Sequence, residues 1–197
     1  MNSIVYVKNY SAPKINKKEI LRYLGVKEEI SKISAIVDEC LKEVYDKLSY
    51  KVCFCKFPIK IENGVLNLGF TTLTSKDLLK NLQGAKEIIL FTATIGIGLD
   101  RLIQRYSAVS QVKAVVFQAI GAERIESLCN LFNSEIKKEY KLTKPRFSPG
   151  YGDFPLEVQK DIISVLSASK NIGVTLNESL LMSPSKSVTA IIGVSKN

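Results

Sequence analysis

The chain contains no histidine. Ser-His-Asp and Cys-His nucleophile systems both need an imidazole as general base, so neither acyl-transfer arrangement can be assembled from it. Cysteine is scarce as well. Cys40, Cys53, Cys55 and Cys129 are too few and too irregularly spaced for a disulfide framework. Cys53-x-Cys55 invites a metal reading, but residues i and i+2 of a strand share one face and pack as small hydrophobes. Without histidine or a second cysteine pair of ligand spacing, a structural zinc site is not expected. The longest apolar run, Ile88 to Leu99, falls far short of the roughly 20 residues a spanning helix needs, so no membrane association is expected. The chain opens Met-Asn-Ser-Ile-Val-Tyr-Val-Lys, without a basic stretch leading into an apolar one. No secretory leader is expected, and the cytoplasm is the expected compartment.

What is present fits a folded, water-soluble chain. Hydrophobic residues make up 46% and charged residues 24%, a balance that supports a core and argues against disorder. A length of 197 residues suits one large domain or two small ones. The formal charge of +9 would serve nucleic acid, an anionic surface or an acidic protein partner. The lysines are spread along the chain, from Lys14, Lys17 and Lys18 to Lys137, Lys138, Lys141 and Lys144. With no arginine-rich block interleaved with aromatics, no nucleic-acid partner is expected, and a solvated lysine-rich surface is the plain alternative.

Hydrophobic periodicity predicts the elements. Lys17 to Leu24 reads as a short helix closed by Gly25. Glu28 to Leu48 is amphipathic, with Ile30, Ile33, Val37, Cys40, Leu41, Val44 and Leu48 at helical spacing. Val52 to Ile61 and Val65 to Phe70 read as strands joined through Asn63-Gly64, a strong hairpin signal. Ser75 can cap a helix ending before Gly84. Glu87 to Ile95 is a strand running into Gly96-Ile97-Gly98, which imitates a dinucleotide-binding turn. The imitation fails at its third glycine position, Arg101, and a closely packed strand-to-helix turn is expected instead. Ser110 to Tyr140 predicts one long helix, with Glu126 among its apolar residues. Leu156 to Ala168 predicts another helix. Val174 to Met182 and Ser187 to Gly193 then read as two strands joined by residues 183–186. No repeat or linker divides the chain. The expected class is α+β: a largely antiparallel sheet built from hairpins, flanked by helices including one long central helix.

Between the last helices lies Arg146-Phe147-Ser148-Pro149-Gly150-Tyr151-Gly152-Asp153-Phe154-Pro155. Two prolines and two glycines exclude both helix and central strand, leaving a stiff loop that carries a guanidinium, a phenol and a carboxylate. An ordinary helix connection is the plain reading of such a cluster. The loop also resembles the RxxPGY signature of the activation domain of cobalamin-dependent methionine synthase. Two further segments follow in order: Thr175-Leu176-Asn177-Glu178-Ser179-Leu180-Leu181-Met182-Ser183-Pro184 resembles that family's T/N-E-S-x-x-M-x-P segment, and Ser187-Val188-Thr189 its S-V-S strand. Arg22-Tyr23-Leu24-Gly25, residues 88–96 and Asp100-Arg101-Leu102-Ile103 are similar to the family's short stand-alone activation subunits. The resemblance covers most of the chain and implies one domain over residues 1–197. It has two gaps. No acidic ligand contact is recognised near the start, and the position of a late tyrosine that lines the family's site falls beyond Asn197.

The resemblance implies binding of S-adenosylmethionine, whose methyl group is passed to a cobalamin held by a methionine synthase partner. It also implies a flavodoxin-like electron donor, so that cob(II)alamin is reductively methylated to methylcobalamin. A lysine-rich surface would steer the encounter with an acidic donor. The implied site residues are Glu126, Arg146, Ser148, Gly150 and Tyr151. Arg146 would take the ligand carboxylate bidentately, and Glu126 would attract its ammonium and sulfonium. Ser148 and Gly150 would offer backbone groups to adenine or ribose, and Tyr151 would lie near the reacting methyl as the catalytic group. Glu178 and Asp153 have no assigned role. A non-catalytic interaction module, or an activator for a different corrinoid-dependent methyltransferase, stands as the alternative.

Overall fold

The computed structural model describes residues 4–26 and 31–196. Strand β1 (Tyr6–Tyr10) leads into helices α1 (Lys17–Tyr23) and α2 (Ser31–Val44). Strand β2 (Tyr50–Pro58) is followed by three short strands, β3 (Lys60–Glu62), β4 (Val65–Asn67) and β5 (Thr72–Leu73). Helix α3 (Lys76–Asn81), strand β6 (Glu87–Thr94) and helices α4 (Gly98–Val109) and α5 (Gln111–Glu139) come next. Strand β7 (Leu142–Thr143) precedes the signature loop. Helices α6 (Val158–Val165) and α7 (Ala168–Ile172) and strands β8 (Thr175–Leu176), β9 (Met182–Ser183) and β10 (Ser187–Ser195) complete the chain. The amphipathic helix expected from Glu28 is seen from Ser31, since residues 27–30 lie outside the described ones.

Five strands form the main sheet in the order β1-β2-β6-β10-β7, with every neighbouring pair antiparallel. The central strands carry apolar residues at consecutive positions because both faces of the sheet are covered. Along β6, Ile89, Phe91 and Ala93 point into one core with α1, α2, α4 and α5. Ile88 and Leu90 point into a second core with α3, α6 and α7. Cys53 and Cys55 sit together in that second core as free, buried thiols. Burial pushes both up to about 12, so they stay protonated at neutral pH.

Local signals set many boundaries. Asn63 and Gly64 adopt positive φ and turn β3 into β4, as the Asn-Gly dipeptide demands. The Ser75 hydroxyl accepts the Leu78 N–H at 3.0 Å and caps α3. Ser110 caps α5, which runs as one helix to Glu139. Gly98 opens α4 against the end of α2. A Cβ there would lie 2.0 Å from the Lys47 carbonyl oxygen, which explains the glycine-rich turn by close packing. One expected pairing differs. The strands around residues 175 and 187 do not pair with each other: β8 pairs with β9, while β10 crosses into the main sheet between β6 and β7. Asn177 explains the tight local turn, because its carboxamide oxygen accepts the Leu181 N–H at 2.9 Å and closes β8 onto β9.

Candidate functional site

A cleft of about 980 Å³ opens beside the signature loop. One wall is α5. Glu126, Asn133 and Lys137 line the cleft at helical spacing, and so they share one face of that helix. The opposite wall is the segment running from Thr143 through Tyr151. The floor is polar: Ser187 and Thr189 come from β10 and Gln159 from α6, all three side chains buried. The Thr189 hydroxyl donates to the Gln159 carbonyl oxygen at 3.3 Å. Tyr23 of α1 closes one side and Met182 of β9 another.

The segment before the loop is held as an extension of the sheet edge. The Lys144 N–H donates to the Gly193 carbonyl at 2.8 Å, and Phe147 and Ile191 exchange both backbone bonds at 2.9 Å. Arg146 is therefore fixed between two ladder contacts with its side chain against α5. Its guanidinium donates to Asn130 Oδ1 at 2.9 Å and also to Glu126 Oε2. The two groups that sequence reasoning assigned to opposite charges of one ligand are thus an ion pair. The Arg146 side chain is 21% exposed and that of Glu126 42%, so both can be reached from the cleft.

Beyond Arg146 the loop bonds to itself. The Gly150 N–H donates to the Phe154 carbonyl at 2.8 Å, and the Tyr151 N–H to the Ser148 carbonyl at 3.2 Å. Ser148 and Tyr151 line the cleft; Gly150 does not, and its N–H is already committed. Gly150 serves the turn itself, with φ at 89°. Tyr151 is 67% exposed at the mouth. The loop's far end is clamped by Asp153, whose carboxylate accepts from the Ser75 hydroxyl, the Lys76 N–H at 2.7 Å and the Asp77 N–H at 3.2 Å. The Ser75 hydroxyl and these amides hold the Asp153 carboxyl below its ordinary range. Glu178, by contrast, is exposed in the turn between β8 and β9, outside the cleft lining.

Sequence reasoning missed the residues that complete the cleft. Asn133 and Lys137 lie seven and eleven positions past Glu126, so helical periodicity could have flagged them. Tyr23 could not be found that way, because its place depends on a buried clasp. Arg124 donates to the carbonyls of Pro13 and Lys14 at 2.6 and 2.9 Å, and Glu123 accepts the Asn16 N–H at 3.1 Å. The two side chains are ion-paired with each other and each 2% exposed. This clasp binds the segment before α1 onto α5, beside Glu126.

The family model described as vitamin B12 dependent methionine synthase, activation domain, matches residues 69–197. The chain belongs to this family. The match includes α5, the signature loop, α6 and β10, which are the greater part of the cleft. Tyr23 and the clasped segment precede it. The activation-domain fold extends over them: the crystal structure of the MetH reactivation domain bound to AdoHcy is similar at a TM-score of 0.74, covering 98% of this chain and 79% of that one. At 15% identity this is a likeness of fold. No curated protein matches the chain in sequence. Among the described residues of this activation domain, no helix is long and apolar enough to cross a membrane.

Proposed function

We propose that this activation domain binds S-adenosylmethionine in the cleft and acts as the stand-alone reactivation subunit of a cobalamin-dependent methionine synthase. It supports reductive methylation of cob(II)alamin to methylcobalamin, the electron coming from a flavodoxin-like donor. The observation that carries this reading is the Arg146–Glu126 pair, presented on the wall of a cleft large enough for an adenosyl ligand. The methionyl end of that ligand is itself a zwitterion. It can enter by exchanging one ion pair for two, its carboxylate on Arg146 and its ammonium on Glu126. The AdoHcy in the similar MetH structure supports the same ligand class.

The corrinoid, held by the partner, supplies the cobalt that receives the methyl group. This chain's residues bind and orient the donor. Arg146 and Glu126 fix the amino-acid end, Ser148 on the cleft wall offers backbone groups to adenine or ribose, and Tyr151 stands at the mouth where a partner would approach. Such a transfer needs positioning and exclusion of water more than proton transfer, which agrees with a site free of histidine.

Isothermal calorimetry tests the reading. The wild-type chain should bind S-adenosylmethionine saturably, and Arg146→Ala should weaken binding at least about tenfold, or about 1.4 kcal/mol. No heat at millimolar ligand would remove the proposal. Reconstitution with alternative corrinoid proteins separates a methionine synthase partner from another methyltransferase.

A further inference from the structure

The main sheet ends at β1, and among the described residues no strand pairs with its outer side. We infer that this edge is a self-association surface, on which β1 of a second copy of this chain pairs antiparallel about a twofold axis at Val7. The edge lies across the sheet from β7 and the signature loop, so the clefts of both copies stay open.

The alternation of the ladder identifies the free groups. Ile191 turns its N–H and carbonyl outward to Phe147. Successive residues of an antiparallel strand point to opposite sides, so this direction carries across the sheet. Ala190 then bonds toward Phe91, Thr92 toward Cys53, and Val52 toward Lys8. It follows that Tyr6, Lys8 and Tyr10 bond inward to β2, while Val5, Val7 and Asn9 turn their N–H and carbonyl groups to solvent. Such an edge is ordinarily blocked by proline, a bulge or an unpaired charge. β1 has no proline, and its register with β2 is unbroken. Its one charge, Lys8, is tied at 2.9 Å to Glu135 of α5. Ile4, Tyr6 and Val7 are 70%, 48% and 44% exposed, an apolar patch concentrated on one short segment.

The strand is complementary to itself. With the twofold at Val7, the two Val7 residues exchange both backbone bonds, and Val5 of each copy does the same with Asn9 of the other. On the face toward α5, Tyr6 lies opposite Lys8 of the second copy, a favourable cation–π neighbour, and Ile4 lies opposite Tyr10. A twofold at Lys8 would set the two lysines against each other, and so would a parallel in-register pairing. Charge matching therefore selects the antiparallel copy centred on Val7. An acidic partner would gain little here, because the strand's only cation is already paired. The contact is small and each chain carries a formal charge of +9, so the dimer is weak, reversible and strengthened by salt.

Sedimentation equilibrium of the full chain, from about 5 to about 500 µM, tests this. Wild type should pass reversibly from monomer to dimer, and raising sodium chloride from about 50 to about 500 mM should tighten the dimer several-fold. Val7→Pro removes an outward N–H that β2 does not use, and should weaken association at least about tenfold. Val7→Lys, which sets two ammonium groups on the axis, should do the same, and circular dichroism confirms that both variants are folded. Val7→Cys should give a disulfide-linked dimer on mild oxidation, because facing Cα atoms about 5.5 Å apart lie within disulfide reach. Asn9→Cys, which faces Val5, should not. A wild-type chain that is still monomeric at the highest concentration overturns the inference. A dimer that both Val7→Pro and Val7→Lys leave intact also overturns it, since the contact then lies elsewhere. Growth past the dimer overturns it too, because it marks non-specific adhesion of an apolar patch.

Discussion

Gly152 shows how tightly the signature loop is seated. Its φ is 53°, and a Cβ there would lie 2.1 Å from Asp77 Oδ2. That same oxygen accepts the Asp153 N–H at 3.3 Å, so Asp77 and Asp153 each hold the other's backbone. Gly152→Ala should therefore cost about 1–2 kcal/mol from the left-handed backbone alone. Displacement of Asp77 from the clamp adds to that. Urea denaturation measures the loss, and a stability equal to wild type would show that the clamp does not constrain the loop. The sequence marked both glycines and left Asp153 without a role. Its partners, Ser75 and the first amides of α3, lie 76 to 78 residues upstream, beyond any local pattern.

Helix α5 links the wall of the cleft to the core. Phe117, Ile120, Leu128, Cys129 and Phe132 are fully buried against the sheet, while Glu126, Asn133 and Lys137 line the cleft. The helix and its Ser110 cap were legible from periodicity and one hydroxyl, because those signals are local. The Glu123–Arg124 clasp was not. Consecutive charges inside a helical pattern read as a solvated face, and only the docking of residues 13–16 buries them. Arg124→Ala leaves Glu123 buried and unpaired, and should destabilise the protein by about 3–5 kcal/mol in chemical denaturation. Replacing both residues, Glu123→Gln with Arg124→Met, should recover much of that loss. If the single and double variants are equally unstable, the charge pairing is not what holds the segment.

The whole molecule should have a broad pH plateau. It has no histidine, so no side chain of ordinary pKa titrates between about pH 5 and 8. On the acid side, Asp153 is held low by the Ser75 hydroxyl and the Lys76 amide. Its contribution is present above the ordinary carboxylate pKa of about 3.9 and is lost as pH falls through the lower folded value. On the alkaline side, burial pushes Cys40 up to about 11 and Cys129 to about 12. The stability from keeping these thiols neutral is complete below the unfolded pKa of about 8.5 and is lost as pH rises through the folded values. Thermal melts across pH should therefore be flat in the middle and fall on both sides; a step near pH 6.5 would contradict this account. The amino-acid sequence by itself determined the antiparallel α+β class, the long helix, the signature loop and the family, since these follow from local periodicity, turn chemistry and ordered short motifs. The tertiary structure alone decided that β10 enters the sheet between β6 and β7, that Arg146 meets Glu126, and that Tyr23 and Thr143 reach one cleft. Those are contacts between residues far apart in the chain, set by which faces must be buried together, and no local pattern encodes them.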